Sequence, residues 1–384
     1  MAAKLKNPFV IGGYVSAEYF CDRAIESKEL VGAFENERNM VIVSPRRMGK
    51  TGLIEHCFHH KNIQKEYYTF FVDIYATGTL KELVFTLGKH IFDTLKPRGM
   101  KFVEQFFTTI SSLRPAFKLD SITGQPVFDI GIGDIRQPLL SLEEIFEYLE
   151  KADKRCIVAI DEFQQITKYP EENVEAILRT QIQKCKNSTF VFSGSQRHMM
   201  QNIFFSASRP FYQSASMLNL EPISLEAYTK FVVNHFQKAD KMVSNECVER
   251  IYHLLDGHTW YMQTLFNRLY EQLEGGEEMT LTLVNDVLHK TVESNRTVYQ
   301  NMVSMLPERQ KEALFAIAKE GKAAEITSAK FIKKHGLYSS SSVQSSVNQL
   351  LEKELITKND TFYLVYDRFF GLWLSETYGT GYRI

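Results

Sequence analysis

The run VIVSPRRMGKTGLI, Val41 to Ile54, constrains this chain more than any other stretch. It passes from an unbroken apolar run to a turn with Pro and Gly, and then to Gly-Lys-Thr followed by helix-spaced apolar residues. That order reads as strand, loop and helix. An apolar run without polar alternation suits a strand covered on both faces, as in a parallel sheet. The loop has the outline G-x-x-x-x-G-K-[ST], with Ser44 where the first Gly stands.

Each position has a physical task. Pro45 holds Ser44 extended and so ends the strand, as the first Gly otherwise would. Ser44, Arg46, Arg47, Met48, Gly49, Lys50, Thr51 and Gly52 form a loop whose backbone N–H groups can aim at a phosphate. Gly49 allows close approach, Lys50 bridges the β- and γ-phosphates, and the Thr51 hydroxyl ligates Mg²⁺. A second strand, in CIVAIDEFQQI, ends at Asp161 and Glu162, 111 residues beyond Lys50. Asp161 is placed to hold Mg²⁺, and Glu162 to orient and deprotonate a water. The plainer reading has both capping the next helix. The spacing leaves room for one intervening strand. A third strand, TFVFSGSQ, offers Ser193, Ser195 and Gln196 to hold the lytic water or sense the γ-phosphate, or presents a merely solvated end.

Around these runs the first half alternates strands (Asn39–Ser44, Tyr67–Tyr75, Cys156–Ile160, Thr189–Ser195) with helix-periodic segments. This is the pattern of a three-layer α/β core. FKLDSITGQPVFDIGIGD, residues 117–134, reads as an inserted β-hairpin turning at Thr123-Gly124. From Ile223 to Met302 the pattern is helical throughout. From Leu306 three helices and a hairpin with an Asn-Asp turn make a winged helix. The expected domains are a core at 1–222, a helical lid at 223–302 and a winged helix at 303–384. A length of 384 residues suits two or three domains.

The net charge of −1 argues against a whole-protein nucleic-acid clamp. SSVQSSVNQLLEKEL, in the recognition-helix position, has no Lys or Arg before Lys353, which favours packing or a protein partner over DNA. Lys330, Lys333 and Lys334 on the preceding helix are left to touch a backbone. Five scattered cysteines read as free thiols. With no apolar run near the roughly 18 residues of a membrane span, the chain reads as cytoplasmic. His56 and His60 have zinc-like spacing but no third ligand, and read as a polar helix face.

The segments NPFVIGGYVSAEYFCDRAIESKEL, SPRRMGKTGL, IDEF, FSGS, RPFYQSASMLNLEPIS and YLVYDRFFGLWL, in that order, resemble the archaeal-type (prokaryotic) ATPases. Those belong to the STAND group and are related to the origin-recognition AAA+ proteins. The resemblance implies ATP rather than GTP and an ATPase core, lid and winged helix. It implies that Phe20, Asp22 and Arg23 flank the adenine. Many relatives carry Tyr-Gly-Arg after the third strand. Here the matching region is Arg209 to Gln213, which makes Arg209 the candidate γ-phosphate sensor or a contact to a neighbouring subunit. In the lid, Gly-x-Pro is replaced by Gly257-His258-Thr259, with His258 facing the nucleotide by that resemblance.

The expected function is a slow Mg²⁺-dependent ATPase working as a nucleotide-driven switch, with a protein partner or nucleotide-dependent homo-oligomer. The catalytic set is Glu162, Lys50, Ser195 and Arg209; Thr51 and Asp161 hold the metal. The alternatives are an ATP-regulated winged-helix DNA-binding protein and a scaffold with negligible turnover. Lys50→Ala is expected to abolish nucleotide binding in a fluorescent-ATP titration, because the ammonium neutralises phosphate charge; wild-type affinity would remove the cradle.

Overall fold

A computed structural model of the chain describes residues 5–95, 100–110, 112, 117–119, 126–128, 135–359 and 361–379. It divides into two compact units. One is Gly12–Ile223; the other runs from Ser224 onward and includes the N-terminal segment ending at Ile11.

The strands of the first unit are β1 (Met40–Val43), β2 (Tyr67–Asp73), β3 (Phe117–Leu119), β4 (Pro126–Phe128), β5 (Arg155–Asp161), β6 (Ser188–Gly194) and β7 (Ser216–Asn219). Five of them form one parallel sheet in the order β2-β5-β6-β1-β7. Their alternation explains the layers. Met40, Ile42, Ile157, Ala159 and Val191 face one way, packing with Leu30, Phe34, Leu53 and Ile54. Val41, Val43, Val158, Ile160, Phe190 and Phe192 face the other, with Leu83, Ile91, Leu142 and Ile145. Both faces at the centre of the sheet are therefore dry, which is why β1 and β6 are apolar or small throughout.

The sheet has one strand more than the four read from the sequence. In β7, SMLN, only Leu218 is buried, so it lacks the apolar run of a central strand; it pairs with β1 at the sheet edge. The strand lying between β1 and β5 in space is β6, while β2, which intervenes in sequence, sits outside β5. β3 and β4 pair antiparallel, Phe117 with Phe128 and Leu119 with Pro126. Their expected turn at Thr123-Gly124 lies outside the described residues.

The second unit carries helices Leu225–Gln237, Asn245–Leu254, Thr259–Gln272, Leu281–Glu293 and Arg296–Ser304. It is not helical throughout. β8 (Met242–Val243) and β9 (Glu278–Met279) form a short parallel pair inside the expected lid, too brief to leave a period in the sequence. Beyond them come helices Glu308–Glu320, Ala329–His335 and Ser340–Glu352, then the antiparallel β10 (Ile356–Asn359) and β11 (Phe362–Val365). Asp360 of the expected Asn-Asp turn lies outside the described residues. Ala323 adds a bridge to Tyr363. The serine run acts as a cap: Ser339 Oγ accepts from the Ser342 N–H at 3.2 Å. The closing helix Arg368–Tyr378 buries Phe369, Phe370, Trp373 and Leu374. No helix among the described residues is long and apolar enough to cross a membrane. All five cysteines are free and buried.

Residues 5–11, read as part of the core, cluster instead with the second unit. Phe9 is fully buried there, its ring 5.5 Å from those of Phe236 and Phe266 and 5.7 Å from that of Tyr270. Asn7 Nδ2 donates to the Asn267 carbonyl and Asn267 Nδ2 to the Phe9 carbonyl, each at 2.8 Å. Phe9→Ala is expected to cost about 3–5 kcal/mol of this unit's stability. Both tryptophans of the chain, Trp260 and Trp373, lie in this unit, so denaturant titration followed by their fluorescence reads it. An unchanged midpoint would detach the segment from the unit.

Candidate active site

The loop between β1 and the helix Lys50–Phe58 turns through two left-handed residues, Arg47 at φ 68° and Gly49 at φ 89°. Gly49 caps the helix, so the free N–H groups of its first turn open onto the loop. Lys50 is buried, and its ammonium donates to the Ser44 carbonyl at 3.0 Å, the Pro45 carbonyl at 3.1 Å and Ser44 Oγ at 3.3 Å. Burial pushes its pKa down from the ordinary lysine range. Asp161 and then Glu162 oppose that, and Arg46 adds to it.

Across the loop, the end of β5 is pinned by its own carboxylate. Asp161 Oδ2 accepts from Thr51 Oγ1 at 3.1 Å; Oδ1 accepts from Ser193 Oγ at 2.5 Å and from the Glu162 N–H at 3.0 Å. Glu162 follows in the left-handed region at φ 56°, a costly conformation for a residue with a side chain. Its Oε2 accepts from Ser195 Oγ at 2.8 Å and Gln164 Nε2 at 2.5 Å. Ser195 Oγ in turn accepts from Arg46 Nε at 3.2 Å, and the Arg46 guanidinium lies 5.5 Å from the Tyr75 ring centroid.

Arg46, Thr51, Asp161, Glu162, Ser193 and Ser195 are thus joined by direct hydrogen bonds, and Lys50 is bonded to Ser44 within the loop. Gly52 meets the edge of the Phe20 ring, 3.5 Å from where a Cβ would sit. Phe20 is stacked on His56 with centroids 4.4 Å apart. Asp22 is exposed at φ 50°. Arg23 is buried and braces three segments: it donates to the Glu221 carbonyl at 2.6 Å, Glu26 Oε1 at 2.7 Å and the Met48 carbonyl of the loop at 3.2 Å. Gln196 stands at the N-terminal end of the helix Arg197–Phe205, its side chain making no capping bond. Arg209 is drawn elsewhere, into an ion pair with Glu175 on the helix Val174–Lys184. His258 lies in the second unit, 3.1 Å from Arg368 by Nε2 to Nη2. His56 and His60 meet edge to face at 5.4 Å, and no set of three or more metal-binding side chains occurs among the described residues.

Three participants were not singled out from the sequence. Gln164 reaches Glu162 from two residues on, a placement with no motif of its own. Asp73 ends β2 opposite Asp161 in the register. Burial is the main force raising its pKa, the Tyr75 N–H opposes it, and Asp161 and Glu162 raise it further. Gly194 ends β6 where a Cβ would fall 2.4 Å from Gln164 Oε1 and 2.5 Å from Met200 Sδ.

A phosphate loop, an acidic strand end and the order β2-β5-β6-β1-β7 define a P-loop ATPase core. Residues 20–265 match the family model of an ATPase domain predominantly from Archaea, and the chain belongs to that family. Residues 297–376 match a model described as a probable winged helix domain. No curated protein matches. The fold is similar to that of a Walker-type ATPase of Pyrococcus abyssi, at TM-score 0.63 and 17% identity over 96% of this chain and 99% of that one. The ORC2 protein of Aeropyrum pernix, in ADPNP–ADP complexes, gives 0.61 and 13% over 96% and 95%. The ORC1 protein of the same organism, in complex with DNA, gives 0.54 and 12% over 97% of each chain.

Gly194→Ala is expected to lower stability by about 1–3 kcal/mol, because Gln164 and Met200 are both packed in place. Thermal unfolding checks this. An unshifted melting temperature would mean that the strand end has room to spare.

Proposed function

We propose that the chain binds ATP with Mg²⁺, hydrolyses it slowly, and uses the cycle as a conformational switch, as proteins of the STAND group do. The observation that carries this reading is the bond between Thr51 Oγ1 and Asp161 Oδ2, 3.1 Å across 110 residues of sequence. It sets a hydroxyl and a carboxylate side by side at the mouth of the phosphate loop, the oxygen donors that a hard cation takes. Mg²⁺, when bound, would neutralise phosphate charge there. Lys50 supplies a second positive charge from within the loop. Glu162, one residue beyond Asp161, takes the proton of the attacking water, its carboxylate held by Ser195 and Gln164. Phe20 and Arg23 support the loop on the side where the resemblance implies the base; Arg209 braces the core through Glu175.

We divide the chain into the core at 12–222, the lid at 223–302 and the winged helix at 303–384, with residues 5–11 belonging to the second unit; the lid and winged helix carry the nucleotide signal to a protein partner. The A. pernix ORC1 structure contains DNA, and duplex DNA is the alternative partner. The helix Ser340–Glu352 bears no Lys or Arg to neutralise phosphates, which supports the protein partner. Steady-state ATPase assays with and without duplex DNA separate the two; strong stimulation by DNA would favour the alternative. Glu162→Gln is expected to keep ATP affinity and slow single-turnover hydrolysis at least about tenfold, or about 1.4 kcal/mol of barrier. An unchanged rate would take the base role from Glu162.

A further inference from the structure

We propose that Arg46 and Ser195 are positioning residues that act through Glu162, aiming one of its two oxygens at the water. This rests on the reading of Glu162 as the base. The argument is one of proton counting. A guanidinium only donates, so Ser195 Oγ must accept from Arg46 Nε, 3.2 Å away. A hydroxyl has a single proton, and with Arg46 on one side that proton turns to Glu162 Oε2 at 2.8 Å. Gln164 Nε2 donates to the same oxygen at 2.5 Å. Both bonds fall on Oε2, leaving Oε1 as the oxygen directed at substrate.

The chain of donors is built rather than incidental. Ser195 and Gln164 are both buried, at 8% and 3% exposure. Gly194 between them leaves no space for a Cβ beside Gln164. Arg46 is steadied by the Tyr75 ring at 5.5 Å. Because Arg46 belongs to the phosphate loop, the conformation of that loop sets the orientation of a base on another strand. Ser195 therefore directs the carboxylate instead of holding the water itself.

A phosphate-binding role for the Arg46 charge makes a different forecast, and side-chain length separates the two. The amide nitrogen of Gln stands as many bonds from Cα as Arg Nε, so Arg46→Gln keeps the donor and removes the charge. Arg46→Met keeps the length and removes both. Single-turnover hydrolysis at saturating ATP is the readout, with affinity followed by fluorescent ATP. Arg46→Met and Ser195→Ala are each expected to be slower by about tenfold, with the double variant no slower than either, since both break one chain. Arg46→Gln should stay within about twofold of wild type in rate while matching Arg46→Met in ATP affinity. Equal slowing of the Gln and Met variants, or costs that multiply in the double variant, would overturn the proposal. A wild-type protein that does not hydrolyse ATP, or a Glu162→Gln variant at full rate, would overturn the underlying reading and this inference with it. Normal loss of activity in Glu162→Gln alongside full-rate Arg46→Met and Ser195→Ala would overturn this inference alone.

Discussion

The phosphate end of the core is organised around the Asp161 carboxylate. It is buried, and a buried carboxylate is tolerated only when donors surround it. Those donors come from three places: the start of the helix Lys50–Phe58, the end of β6, and the backbone immediately after β5. One side chain thus sets the registry of the loop, the central strand and the turn that carries Glu162. An apolar residue there would leave two hydroxyls and an N–H without their acceptor.

Part of the chain's backbone strain falls in the same region. Arg23, Arg47 and Glu162 all occupy the left-handed region without being glycine. Such conformations cost about 1–3 kcal/mol each and persist where surrounding bonds determine them. Arg23 is held by its contacts with Glu26, Met48 and Glu221, and Glu162 by Ser195 and Gln164. In both cases, side-chain bonds offset a backbone cost.

Local pattern made part of this legible in the sequence. The strand before Ser44, the helix after Gly49 and the apolar run ending at Asp161 each leave their mark within a dozen residues. The assignment of helices and hairpin after Leu306 was legible for the same reason. What escaped was set by tertiary pairing. β7 has one buried residue in four and joins the sheet because β1 offers it an edge. Arg209 has its partner, Glu175, on another element, and no local period announces the pair. Gln164 and Gly194 matter only because β5 and β6 are neighbours. Phe9 sits in a stretch that looks like the approach to the core, yet its cage is assembled from residues 222 to 261 positions later.

That last distance has a consequence for synthesis. Phe9 leaves the ribosome before Gly12–Ile223, whereas Phe231, Phe236, Phe266 and Tyr270 emerge only after all of it has been made. Domains fold as units as the chain grows, N-terminal part first. All five strands of the core sheet are therefore made before the cage that takes Phe9 exists. Closing the Phe9 segment onto its cage is a late, long-range step of high loop-closure cost. Until then the nascent chain carries an exposed aromatic residue, and a core excised for separate study would begin at Gly12 to avoid inheriting it.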